Sequence, residues 1–188
     1  MHIAYFTQYA MEVPSFYMEE IMNIKIAGTV NDSIVDGPGL RFTIFVQGCP
    51  HGCPGCHNPH THDFGGGAWT TTEALLEKIR ANPLLDGVTF SGGEPFCQAE
   101  SLSFLGRELK SRGYNIITYT GFTFEYLLER ASETNFYKEL LTVTDILVDG
   151  PFELDKKNYE LRFKGSENQR ILNVSESLLK KEAVETSL

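Results

Sequence analysis

The sequence predicts an α/β domain on a mostly parallel sheet, and three observations predict it. Short β-branched and aromatic runs alternate along the chain with segments of helical periodicity, the order of strands joined by helical crossovers. Four of those runs end in polar, glycine-bearing turns, as on the C-terminal rim of a parallel sheet where ligand sites gather. The length, 188 residues, suits one domain but falls short of the about 250 residues of a complete eightfold barrel. The expected architecture is therefore a partial, incomplete TIM-like β/α barrel of roughly five to six parallel strands.

The elements follow in chain order. Residues 1–21 have neither the basic start nor the long apolar stretch of a signal peptide, and they read as an extension or an upstream start. The folded domain is expected over residues 22–188. Met22 opens a strand-like alternation with Ile24 and Ile26 on one face, and Arg41 to Gln47 is β-branched and aromatic enough for a buried strand. From Cys49 to Gly67, prolines and glycines make irregular backbone. Thr70 with Glu73 three residues on is a capping-box pattern, and Leu75, Leu76 and Ile79 give that helix its apolar face before Pro83. Gly87 to Phe90 is a strand running into Ser91-Gly92-Gly93-Glu94-Pro95. A helix over about Ala99–Arg112 stops at Gly113, and Tyr114 to Tyr119 is the next strand. Thr123 caps a helix to about Arg130, a short helix covers about Tyr137–Val143, and Ile146 to Val148 makes a strand ending at Asp149-Gly150-Pro151. Gln169 to Leu172 reads as the last strand, and Ser175 to Leu188 as a solvated helix that frays. The cysteine loop and the turns at Gly92-Gly93, Thr120-Gly121 and Asp149-Gly150-Pro151 thus share one predicted rim.

Hydrophobic residues make up 41% and charged residues 22%, an ordinary globular composition. The net charge of −9 argues against a surface made to neutralise a phosphate backbone, so neither nucleic acid nor an anionic membrane is an expected partner. No run of about 18 apolar residues is present. Three of the four cysteines fall together, which suits metal binding or redox chemistry in a reducing compartment better than a disulfide framework. The expected location is the cytoplasm.

The cluster reads Cys49-Pro50-His51-Gly52-Cys53-Pro54-Gly55-Cys56, a C-x3-C-x2-C motif. Closely spaced thiolates on a loop of glycines and prolines are what an iron–sulfur cluster needs. Three ligands on a four-iron cluster leave one iron without protein coordination, the mark of a catalytic site. The spacing also admits zinc, with His51, His57, His60 or His62 as a fourth ligand, a redox dithiol at Cys53 and Cys56, or unliganded packed thiols. Cys97 stands apart and reads as a free packed thiol.

The motif resembles the signature of radical S-adenosylmethionine (SAM) enzymes. Asp36-Gly37-Pro38-Gly39-Leu40-Arg41, Cys56-His57-Asn58-Pro59, Ser91-Gly92-Gly93-Glu94-Pro95, Thr120-Gly121-Phe122-Thr123, Asp149-Gly150-Pro151-Phe152 and Gly165 to Arg170 sharpen the likeness. In order and spacing they resemble the glycyl-radical-enzyme activases of the anaerobic ribonucleoside-triphosphate reductase type, from about Met22 to Ile171.

The resemblance implies a partial barrel of the radical SAM type. Cys49, Cys53 and Cys56 would hold one [4Fe–4S] cluster per chain, and the fourth iron would bind the amino and carboxylate groups of SAM. Reductive cleavage would give methionine and a 5′-deoxyadenosyl radical that takes a hydrogen atom from a glycine of the reductase. The Gly92-Gly93 turn would offer free backbone amides close to SAM, Glu94 would accept from its ammonium, and the backbone from Gly55 through Cys56 to His57 would meet the adenine. Cys97 would stay free of the cluster. Arg170 and the Asp36 to Gly39 loop stand open between ligand or partner contact and plain structure. A flavodoxin-type protein would supply the electron. The alternatives are an activase of another glycyl radical enzyme, such as pyruvate formate-lyase, and a zinc-stabilised binding module without catalysis.

Overall fold

Arg41–Val46 forms a strand (β2) in which every residue but Phe45 is buried, as befits a strand covered on both faces. The computed structural model describes residues 21–188; the extension expected over 1–21 lies, except for Ile21, outside them. Counting strands in chain order, β2 pairs in parallel with β4 (Gly87–Gly92), β4 with β5 (Asn115–Tyr119), and β5 with β6 (Ile146–Asp149). The crossovers carry α1 (Thr72–Arg80), α2 (Ala99–Ser111), and α3 (Phe124–Arg130) with α4 (Tyr137–Val143).

The flanks run the other way. β1 (Asn23–Ser33) lies antiparallel to β2, β3 (Ala68–Thr71) antiparallel to the first residues of β1, and β7 (Arg170–Asn173) antiparallel to β6. Among the described residues the sheet has the order β3-β1-β2-β4-β5-β6-β7. Its parallel part is therefore four strands, β2, β4, β5 and β6, and not the five to six expected. Parallel neighbours need a crossover of a dozen or more residues, usually through a helix. The link 34–40 is too short for one, and the stretch from Gly150 to Gln169 holds only a 3₁₀ turn, Leu154–Lys156.

Two further expectations shift. Thr70 lies in β3, and the helix is capped by Thr71, whose hydroxyl accepts from Ala74 N at 3.1 Å; Glu73 instead sits in the first turn, where the helix dipole favours an anion. The C-terminal helix α5 (Val174–Lys180) ends at Lys181, which is left-handed at φ 58. The tail then turns back along β7, with Asn173 N donating to Val184 O and Thr186 N to Ile171 O.

The period-2 alternation of the parallel strands separates two surfaces. Phe42, Ile44, Val46, Val88, Phe90 and Ile116 join Leu75, Ile79, Leu102, Leu105, Leu109 and Phe124 in the core. Each such side chain contributes about 1.5–3 kcal/mol on burial. Residues of the other parity, Phe45, Ser91 and Tyr119, line a cavity. Below it Arg41 is 1% exposed. Its guanidinium donates to Thr89 Oγ1, Asn115 Oδ1 and the carbonyls of Val88, Asn115 and Pro38, and burial pushes it down to about 10. No described helix is long and apolar enough to cross a membrane.

Candidate active site

The four turns predicted to share a rim do share one. They surround a cavity of about 570 Å³ whose lining includes Cys49, Cys53, Cys56 and His57 after β2, Gly92 and Gly93 after β4, Thr120 and Gly121 after β5, and Gly150 after β6. Phe152, Lys164, Gly165 and Gln169, from the segment between β6 and β7, complete one side.

The cysteine loop is clamped at its base. Gly48 N donates to Thr61 O at 2.8 Å and Cys49 N to His62 O at 3.1 Å, so the chain leaves β2 and returns to it. Gln47 reaches under the loop to the carbonyls of His60 and Asp63. Gln98 ties Gln47 in turn to Lys25 on β1, using both ends of its amide. Within the loop Cys53-Pro54-Gly55-Cys56 is a turn closed by Cys56 N donating to Cys53 O at 3.2 Å. Gly55 takes φ 72 there, the left-handed position that follows proline in a type II turn. That duty leaves Gly55 exposed and off the cavity wall, so of the three residues expected at the adenine only Cys56 and His57 reach the cavity. The His57 ring lies 5.2 Å from that of Phe152, with Gly165 against it.

All three loop thiols are half-buried. Burial pushes the Cys49 thiol up, opposed by the amides of His51 and Gly52 that face it; Asn58 N donates to Cys56 Sγ at 3.4 Å. Amide donors of this kind favour the thiolate and tune a sulfur-ligated iron cluster. The donor set fits such a cluster: three sulfurs face one cavity, two of them met by backbone amides. No three His, Cys, Asp or Glu side chains among the described residues are grouped about a point that one metal ion could hold.

Cys97 is absent from the cavity lining. It sits on the 3₁₀ turn Pro95–Gln98 and is exposed, not packed as expected, because Phe96 takes the buried position. Loss of hydration, then the charges of Glu94 and Cys49, push its thiol up to about 12.

The Gly92-Gly93-Glu94 turn differs from expectation in two ways. Gly93 N donates to Val46 O and Glu94 N to Gly48 O, each at 2.8 Å, so those amides are spent on the end of β2 and the start of the cysteine loop and are not free for a ligand. A Cβ on Gly93 would run into the Gly48 carbonyl, which explains the glycine. Glu94 does not line the cavity; it is fully buried behind the turn. Its carboxylate accepts from Thr120 Oγ1 (2.8 Å), Gly121 N (2.9 Å) and Phe96 N (3.0 Å), and His51 Nε2 lies 2.7 Å away. A carboxylate so occupied has no lone pair directed at a ligand ammonium.

The two residues left open between ligand contact and structure both have partners within the chain. Arg170 donates to the buried Asp149 and to Glu125, and Asp36 Oδ2 accepts from Ser33 Oγ and Thr43 Oγ1 while Asp36 still lines the cavity. Sequence reasoning missed His51 as a structural partner, Tyr119 on the inner face, and Lys164, which lines the cavity while donating to the Gln169 carbonyl.

A family profile described as "4Fe-4S single cluster domain" matches residues 35–172, which places the chain in a class of single-cluster iron–sulfur proteins. The pyruvate formate-lyase-activating enzyme of Clostridium pasteurianum is 36% identical over 133 residues, 68% of this chain and 52% of that one. This chain therefore spans about half the length of that relative. Anaerobic ribonucleoside-triphosphate reductase-activating proteins of Pasteurella multocida and Escherichia coli K12 are each 34% identical, over 151 and 146 residues, covering 73% and 72% of this chain and 90% of each relative. The chain belongs to this family of anaerobic ribonucleoside-triphosphate reductase-activating proteins.

Proposed function

We propose that the chain is a radical SAM activase that reductively cleaves SAM and generates a glycyl radical on anaerobic ribonucleoside-triphosphate reductase. The observation that carries the reading is the convergence of three thiols, from one clamped loop, on a cavity of about 570 Å³. That volume is in the range of a small-molecule site and far above what one ion needs. Cys49, Cys53 and Cys56 would hold one [4Fe–4S] cluster, which when bound would supply the low-potential electron that reductive cleavage of SAM needs. Zinc fits less well, since its donors must stand about 2.0–2.3 Å from a single point.

The chain's own part is to bind, orient and shield. Gly92 and Gly93 present side-chain-free backbone beside the cysteines, which lets a ligand approach closely. Cys56, the His57 ring and Phe152 form an aromatic-edged wall for the adenine. Glu94 acts from behind the turn, on protein and not on SAM. The four parallel strands and their inner face form the partial barrel of residues 22–188, and its cavity receives the reductase glycine. A flavodoxin-type donor and a cytoplasmic location complete the reading.

The test is anaerobic incubation of the reconstituted chain with SAM, a reductant and candidate partners. A glycyl radical doublet on the reductase is expected; a doublet on pyruvate formate-lyase alone would redirect the assignment of partner, and SAM turnover by neither pairing would overturn the reading.

A further inference from the structure

Glu94 is 0% exposed, and a buried carboxylate is tolerated only when its lone pairs are matched. Its donors come from three separate segments of the rim. Thr120 and Gly121 belong to the loop after β5, Phe96 to the 3₁₀ turn after Glu94 itself, and His51 to the cysteine loop, 43 residues away in sequence. A carboxylate can only accept, so His51 Nε2 carries the proton and donates. His51 stands between Cys49 and Cys53, and its side chain is 17% exposed.

Independent geometry points to the same residue. A Cβ on Gly121 would lie 2.5 Å from the His51 ring, although the backbone there is not left-handed. The glycine is needed for space, not for conformation. Phe122 meets the ring edge-on at 4.5 Å between centroids and is itself stacked on Tyr126 at 4.8 Å. The loop after β5 thus builds a slot for His51, with Glu94 as the acceptor at its end.

We infer that His51 is a positioning residue: its hydrogen bond to Glu94, inside the slot left by Gly121, pins the Cys49–Cys53 span to the turns after β4 and β5 and sets where the thiols stand before a cluster binds. The consequence for cluster assembly rests on the function proposed above, whereas the pinning belongs to the metal-free chain. Pre-ordering a ligand loop removes part of the ordering cost of binding.

Hydrogen–deuterium exchange on the metal-free full chain tests this. His51→Ala and Gly121→Ala are each expected to speed exchange of the amides of residues 49–56 at least tenfold while the amides of β4 and β5 stay within twofold of wild type. His51→Gln, which keeps an N–H donor, is expected to recover most of the protection. With His51→Ala already present, the slot is empty, and adding Gly121→Ala should change exchange less than twofold. Loop exchange within twofold of wild type in His51→Ala, or full additivity of the two changes, would overturn the inference. If His51→Ala loosens the whole sheet, Gly121→Ala and His51→Gln decide by the same criteria. Iron content after anaerobic reconstitution is read separately: a wild-type chain that takes up no iron refutes the proposed function and leaves the exchange result standing.

Discussion

Replacing Arg170 by Ala isolates one structural claim, that this arginine holds the fold together and does not contact a ligand. Asp149 is fully buried and accepts three hydrogen bonds: one from Phe124 N at 2.7 Å, and two from Arg170, through Nε at 2.9 Å and Nη2 at 2.5 Å. The truncation leaves a buried carboxylate with a single donor. Removing one partner of a buried pair costs about 3–5 kcal/mol, and because the Arg170 side chain is 28% exposed, water can replace part of it, which favours about 3 kcal/mol. At about 2–4 °C per kcal/mol for a chain of this size, the melting temperature of the metal-free protein should fall by roughly 6–12 °C, read by circular dichroism. Arg170→Lys should recover part of the loss. The second contact gives a pH signature. The hydrogen bond from Arg170 holds the Glu125 carboxyl below its ordinary 4.5, so its contribution is present above that value and is lost as pH falls through the lower folded value. Glu125 is half exposed, so this contribution is small, and in Arg170→Ala it should vanish. A melting temperature within about 2 °C of wild type, together with a raised KM for SAM, would refute the reasoning and make Arg170 a ligand contact.

The remaining predictions concern the four cysteines. Cys49→Ala, Cys53→Ala and Cys56→Ala should each abolish cluster assembly, measured as iron and sulfide per chain after anaerobic reconstitution, while Cys97→Ala should match wild type. In the metal-free chain at pH 8, Cys97 should be alkylated by iodoacetamide more slowly than an ordinary exposed cysteine, because its thiol is pushed up and the thiolate is the reacting form. Peptide mapping by mass spectrometry reads this, and fast labelling of Cys97 would refute it.

The α/β class and the shared rim were legible because each rim turn carries a local signature: glycine or proline directly after a β-branched run. Strand direction was not. The alternation opening at Met22 and the run Gln169 to Leu172 read as strands, but a strand's composition carries no sense of direction, and only the lack of a helical crossover beside each makes it antiparallel. β3 escaped notice because Ala-Trp-Thr-Thr is short and runs straight into a helix whose cap, Thr71, borders an equally suitable threonine. The three loop thiols and the two glycines of the turn could be placed on the rim because each group directly follows a legible strand, while their roles came from the resemblance. The role of Glu94 could not, because its partners lie on separate loops and meet only when β2, β4 and β5 align. The same holds for the glycine at 121, whose reason is the ring of a residue 70 positions earlier.

The central claim is a three-thiolate cluster with one iron open to SAM, and electron paramagnetic resonance of the reduced, anaerobically reconstituted chain tests it most directly. An S = 1/2 signal of a reduced [4Fe–4S] cluster is expected, with g-values that change when SAM is added, and that signal should be lost in each of the three loop-cysteine variants. A colourless, zinc-loaded protein, or a cluster signal that SAM leaves unchanged, would contradict it.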